Sequence, residues 1–257
     1  MALKRISLGF LLFSLFGSLL AILILGFNLQ WDLPLTPIIT LSSFIFAILH
    51  GMQREGWKKM LLLVGLVFAS GLFFESLGVA TGLVYGPYHY TDQLGPKFIG
   101  LVPWLIPVAW TFMIYPSMVI ANRITPENLT GFKRGLMVAA LSGVIMTAWD
   151  VVMDPMMVFG GNWIWEVQGG YFGVPLQNFW GWWLTTFTAV GLFLLFSRRF
   201  AKQNPRLPDR WAVYLYIMTG CSSVATSLIV GLSGSALAGI FAMLPWVIMG
   251  WWRTREG

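Results

Sequence analysis

Eight runs of predominantly apolar residues, at about 6–27, 34–50, 60–80, 99–121, 135–153, 178–197, 211–231 and 235–252, leave little of this chain free to form anything else. Crossing a bilayer as helix takes about 20 apolar residues, and the segments between the runs are too short for a separate soluble domain. The charged fraction of 10% is far below the roughly 25% of soluble domains. The sequence therefore predicts an all-α fold: a polytopic membrane bundle of about eight transmembrane helices, forming a single integral membrane domain over residues 1–257.

The formal charge of +6 is a matter of topology. Threading the runs alternately, with the amino terminus in the cytoplasm, puts Lys4, Arg5, Arg54, Lys58, Lys59, Arg123, Lys133, Arg134, Arg198, Arg199, Lys202, Arg206, Arg210, Arg253 and Arg255 on the cytoplasmic side. Only Lys97 falls opposite. This asymmetry follows the positive-inside rule and predicts that both termini are cytoplasmic. The basic residues sit in short connectors and form no stripe suited to nucleic acid. The first run is basic at its start but longer than a signal-peptide core and lacks a small-residue cleavage site, so it reads as a retained span. Cys221 stands alone in an apolar run, which leaves no disulfide framework and no thiol metal cluster.

Acidic residues sort the other way. Asp32, Glu75, Asp92, Asp150, Asp154 and Glu166 fall at or near the non-cytoplasmic face. A carboxylate within an apolar span is costly and marks a functional site by default. Glu75 shares one face of span three with Gly71, Gly78 and Gly82, where small residues permit close helix approach. Span five aligns Gly143, Thr147, Asp150 and Asp154; span six aligns Asn178, Trp182 and Thr185. Three helices thus bring polar stripes to a shared depth. Two long connectors at the same face, GLVYGPYHYTDQLGPKFIG and DPMMVFGGNWIWEVQGGYFGVPLQN, mix Gly, Pro and aromatics as re-entrant or interfacial segments do. Span four carries Pro103, Pro107 and Pro116, which predicts a kinked helix beside a cavity, although membrane helices also tolerate proline without such a role.

Several chemistries fit these residues. DVVMD sets Asp150 and Asp154 one helical turn apart, a spacing that can hold Mg²⁺ together with substrate phosphates. A magnesium-dependent prenyltransferase would carry a second aspartate-rich motif and basic residues for diphosphate, and neither is present beside this one. Alternatively Asp154, followed by Pro155, ends its helix at the interface, and Glu75 makes a structural hydrogen bond. His50 and His89 are far apart in sequence and form no metal cluster, and no nucleophile triad, phosphate loop or dinucleotide fingerprint stands out. No metal and no redox cofactor is expected. Neighbouring acids in apolar surroundings can retain a proton near neutral pH, which suits donation to a weak base such as an alkene. The tryptophans at 149, 163, 165, 180, 182 and 183 form either an interfacial belt or a lining that stabilises a cation.

Two stretches carry a resemblance. GLVYGPYHYTDQLGPKFIGLVPWLIPVAWTFMIYPS and AWDVVMDPMMVFGGNWIWEVQGGYFGVPLQNFWGWW, about a third of the chain, are similar to the membrane carotenoid biosynthesis proteins. That family includes carotenoid 1,2-hydratases acting on γ-carotene-like and bisanhydrobacterioruberin-like substrates. The resemblance implies addition of water across the terminal C1=C2 bond of an acyclic carotenoid end group, with no cofactor. In this reading a protonated Asp150 or Glu75 delivers a proton, and Trp149, Trp163 and Trp165 screen the tertiary carbocation. Asp154, or whichever acid is ionised, deprotonates the water, with Tyr88, His89, Tyr90 and Asn178 as hydrogen-bond partners and Trp182 beside them. The expected partners are a polyene entering from the bilayer, membrane lipid and other carotenoid-pathway enzymes. The modest acid content disfavours a halophilic host and points to a bacterial cytoplasmic membrane. The competing readings are a prenyltransferase, a carotenoid end-group cyclase, and a transporter or carotenoid-binding protein with no enzymatic role.

Overall fold

The computed structural model describes residues 2–201 and 207–255, so Lys202 and Arg206 lie outside the described residues. Within these bounds eight helices are long and apolar enough to cross a membrane. They are α1 (Ala2–Gly26), α2 (Leu35–Glu55), α3 (Trp57–Thr81), α4 (Leu105–Ile124), α5 (Gly131–Phe159), α6 (Leu176–Phe196), α7 (Arg210–Ile229) and α8 (Ser233–Arg255). The chain is thus an all-α, polytopic membrane bundle. α4 is its centre: 78% of its most apolar window lies inside the protein, against 22% for α1.

Side-chain contacts fix the alternation of the helices. At one end Lys4 lies over the Trp211 ring, Tyr214 packs on Trp251, and Asp209 pairs with Arg54 and Arg123. The start of α1, the ends of α2, α4 and α8, and the start of α7 therefore meet there. At the other end Gly26 abuts Ile229 and Gly234 abuts Phe172. The two long connectors, 82–104 and 160–175, also lie at this second end. The first is called the arginine end below and the second the aromatic end.

Two short sheets within the connectors were not anticipated. β1 (Tyr88–Tyr90) pairs antiparallel with β4 (Trp163–Trp165), joining the two connectors to each other. β2 (Lys97–Phe98) and β3 (Val102–Pro103) form a hairpin in which Ile99 and Gly100 both adopt positive φ. α4 consequently starts at Leu105 and not near residue 99. Of the three prolines expected to kink it, Pro103 lies in β3 and Pro107 in the first turn, where no intrahelical N–H bond is lost; only Pro116 is interior. α5 does not end at Asp154 but continues through Pro155 to Phe159. A proline inside a helix leaves the carbonyl four residues earlier without its donor. Here that carbonyl belongs to Val151, and the Tyr171 hydroxyl donates to it at 2.9 Å.

Candidate active site

Strand alternation decides which connector side chains reach the interior. The register Tyr88↔Trp165, His89↔Ile164, Tyr90↔Trp163 turns Tyr88, Tyr90 and Trp163 inward, where they are buried, and leaves His89 and Ile164 outside. Tyr88 and Trp165 pack at 5.0 Å between ring centroids, Tyr90 and Trp163 at 5.8 Å. The inward tyrosines meet Glu75, which α3 presents from below. Both hydroxyls donate to its Oε2, Tyr90 at 2.8 Å, and Trp110 Nε1 of α4 donates to Oε1 at 2.9 Å. Burial first, and the Glu75 charge second, push both tyrosine hydroxyls well above their ordinary pKa, so each remains a donor.

A second acidic centre sits beside the first. Trp163 Nε1 and Trp165 Nε1 donate to Asp154 Oδ1 at 2.9 and 3.3 Å. The Asn178 amide nitrogen of α6 donates to Asp154 Oδ2 at 2.6 Å and to Asp150 Oδ2 at 2.8 Å, bridging the two carboxyls. Asp150 Oδ1 is buried with no hydrogen-bond partner among the described residues. None of the three acids has an ion-pair partner there either.

Close backbone approach holds this arrangement together. A Cβ on Gly78 would lie 2.6 Å from the Tyr85 ring, and one on Gly181 would collide with the opposite edge of the same ring. Tyr85 is thereby clamped between α3 and α6, with its hydroxyl 2.7 Å from Thr185 Oγ1. Trp110 stacks on Trp182 at 4.2 Å, Trp182 meets Trp149 edge-on at 6.0 Å, and Trp149 Nε1 donates to Ser223 Oγ of α7 at 3.0 Å.

These groups close one end of a cavity of about 510 Å³. Glu75, Asp154, Asn178, Tyr88, Tyr90 and the tryptophans at 110, 149, 163, 165 and 182 line it; Asp150 does not, and lies behind Asn178. The far end is bordered by aliphatic residues of α1 and α2, including Ile24, Leu25 and Ile39, and by Thr219, Ser222 and Thr226 of α7.

The structure brings together Glu75, Asp150, Asp154, Tyr88, Tyr90, Asn178, Trp149, Trp163, Trp165 and Trp182. It does not bring His89, whose side chain is 51% exposed and lies 3.3 Å from the exposed Glu166. Trp110 and Ser223 escaped the sequence reading; the Trp110 side chain belongs to the apolar run of span four and carries no charge to flag it. Among the described residues no three His, Cys, Asp or Glu side chains converge to hold a metal ion. Between Asp150 and Asp154 the groove is occupied by an amide donor, which takes lone pairs a cation would need.

The model of a family described as "Carotenoid biosynthesis protein" matches residues 35–245. A curated bisanhydrobacterioruberin hydratase from Haloarcula japonica is 33% identical over 124 residues, covering 46% of this chain. The match spans 39% of that relative's length. No solved structure matches the chain.

Proposed function

This chain belongs to the carotenoid biosynthesis protein family, and from that premise we propose that it adds water across the terminal C1=C2 bond of an acyclic carotenoid end group. The observation that carries the reading is an apolar, aromatic-lined cavity closed at one end by acids that have no cation beside them. A diphosphate substrate would need basic groups at that point, whereas an alkene needs a proton donor and a proton acceptor. The name of the Haloarcula japonica relative supports hydration over the other reactions an alkene-protonating site can begin.

The hydrogen bonds divide the roles. Asp150 and Asp154 face each other across a single amide, and two buried charges so placed repel; the pair holds one proton, which the cavity-lining Asp154 delivers to C2. Asp150 is a positioning residue: it accepts from the same Asn178 amide, and its charge beside Asp154 favours keeping one proton on the pair. Glu75 takes three donors, as Asp154 does, but has no second carboxyl sharing them, and acts as the base. Protonation at C2 leaves a tertiary cation at C1, water attacks C1, and Glu75 takes the water's second proton. Alkene plus water gives a tertiary alcohol, and transfer of one proton from Glu75 back to the aspartate pair restores the site. The faces of Trp163 and Trp165 shield the cation, each worth about 0.5–2 kcal/mol.

A cavity of about 510 Å³ falls in the ordinary range for small-molecule sites and accepts an end group while the rest of the polyene lies among lipid tails. The arginine end faces the cytoplasm by the positive-inside rule. Expression in cells that accumulate acyclic carotenoids tests the proposal: the pigments are expected to gain the mass of one water per reacted end. A product of unchanged mass with a ring would make the protein a cyclase, and an added prenyl unit a transferase.

A further inference from the structure

Four arginines from four helices converge on a second cavity, of about 310 Å³, at the arginine end: Arg54 of α2, Arg123 of α4, Arg134 of α5 and Arg253 of α8. Glu127 is the acid in its lining. Asp209 sits to one side of this lining and orients two of the guanidiniums. It accepts from Arg54 Nε at 2.5 Å and Arg54 Nη2 at 3.2 Å, and from Arg123 Nε. Engaging Arg123 through Nε leaves both of its terminal nitrogens without a partner among the described residues, and the side chain is 35% exposed. Arg134 is held by carbonyls at the end of α4, with Nη2 2.8 Å from Asn122 O and Nη1 3.0 Å from Pro126 O. Arg253 is exposed and has no ion pair or hydrogen bond among the described residues.

A guanidinium fixed from behind through Nε and open in front, as Arg123 is, suits phosphate oxygens, because its two terminal nitrogens offer parallel donors with little further ordering. Basic cavities between membrane helices near the interface take anionic headgroups by the same chemistry. We propose that this cavity binds a phosphate group, distinct from the polyene site at the opposite end. Arg123 and Arg253 make the direct contacts, Asp209, itself held by Arg54, fixes Arg123, and Glu127 weakens binding by repulsion.

The test uses purified full-length protein in neutral detergent. Native mass spectrometry counts retained phosphatidylglycerol against phosphatidylcholine, and calorimetric titration measures inorganic phosphate. Removing Arg123 or Arg54 would strip the buried Asp209 of one of its two partners and disturb folding, so the informative variants are Arg253→Gln and Glu127→Gln, both at exposed positions. Arg253→Gln is expected to weaken binding about fivefold and Glu127→Gln to strengthen it about threefold, the scale of exposed charge pairs. Retention of phosphatidylglycerol identifies a lipid headgroup as the source; saturable binding of phosphate without lipid preference identifies a soluble anion. Failure of both probes to bind, or binding that both variants leave unchanged, overturns the proposal.

Discussion

Glu75 accepts three hydrogen bonds in the protein's interior, from Tyr88, Tyr90 and Trp110, and shares none of these donors with a second carboxyl. Glu75→Gln preserves its shape but removes its capacity to take a proton, and a positioned acid or base contributes about 10²–10⁴-fold. Turnover per amount of membrane protein is expected to fall by that factor while the protein still reaches the membrane; a wild-type rate would remove Glu75 from the chemistry. The two aspartates are expected to differ, because Asp154 lines the cavity and Asp150 does not. Asp154→Asn should cost more in kcat than Asp150→Asn, measured on the same substrate, and the reverse order would place the transferred proton on Asp150. At this scale much of the site was legible. Charged side chains in apolar runs are expensive, so Glu75, Asp150 and Asp154 announced themselves, and helical spacing aligned Asn178 with Trp182. Trp110 did not, because an indole in an apolar helix looks the same whether its N–H meets a carboxylate or a headgroup.

Elements carry the constraints that single residues do not reveal. The eight spans were readable from hydropathy because lipid imposes one length and one backbone solution. The β1–β4 pairing was not, since three-residue strands separated by more than seventy positions leave no periodicity in the sequence. That pairing decides the outcome at His89: alternation turns both flanking tyrosines inward and the imidazole out, although all three sit in one aromatic motif. Proline was equally misleading in α5, where Tyr171 replaces the donor lost at Pro155 and the helix runs on. Tyr171→Phe should therefore lower thermal stability by about 1–3 kcal/mol, the penalty for a buried polar group left unpaired; an unchanged melting temperature would mean that water satisfies the Val151 carbonyl. Gly181→Ala tests the clamp on Tyr85. Its new methyl group would meet both the ring and the Val84 carbonyl, so overpacking of about 1–3 kcal/mol is expected, with activity falling as α3 and α6 separate.

Across the whole molecule the two ends differ in charge: among the described residues the buried acids Glu75, Asp150 and Asp154 have no cation beside them near the aromatic end, whereas arginines gather around Asp209 and Glu127 at the other. Burial pushes the Asp209 carboxyl up, but the hydrogen bonds and charges of Arg54 and Arg123 outweigh it and hold the group below the ordinary aspartate range. A depressed carboxyl stabilises the fold fully above its unfolded pKa of about 4 and loses that contribution as pH falls through its lower folded value. Melting temperature should thus drop below about pH 4 in the wild type, and Asp209→Asn should lower it already at neutral pH by leaving two arginines without their shared acid. Equal melting curves for the two proteins at neutral pH would deny the cluster a structural role. The positive charge gathered at this end explains the alternating charge pattern of the chain, while the aromatic end explains its concentration of tryptophan between residues 149 and 183. In the proposed reaction protons and water, and no other reactant, meet an alkene in the cavity. Membranes containing the protein and an acyclic carotenoid, incubated separately in oxygen-18 water and in deuterium oxide with a chelator present, test it most directly. One heavy oxygen is expected on the tertiary carbon C1 and one deuterium on C2, with both labels lost in Glu75→Gln. A converted product lacking the heavy oxygen, or labelling abolished by the chelator, would contradict it.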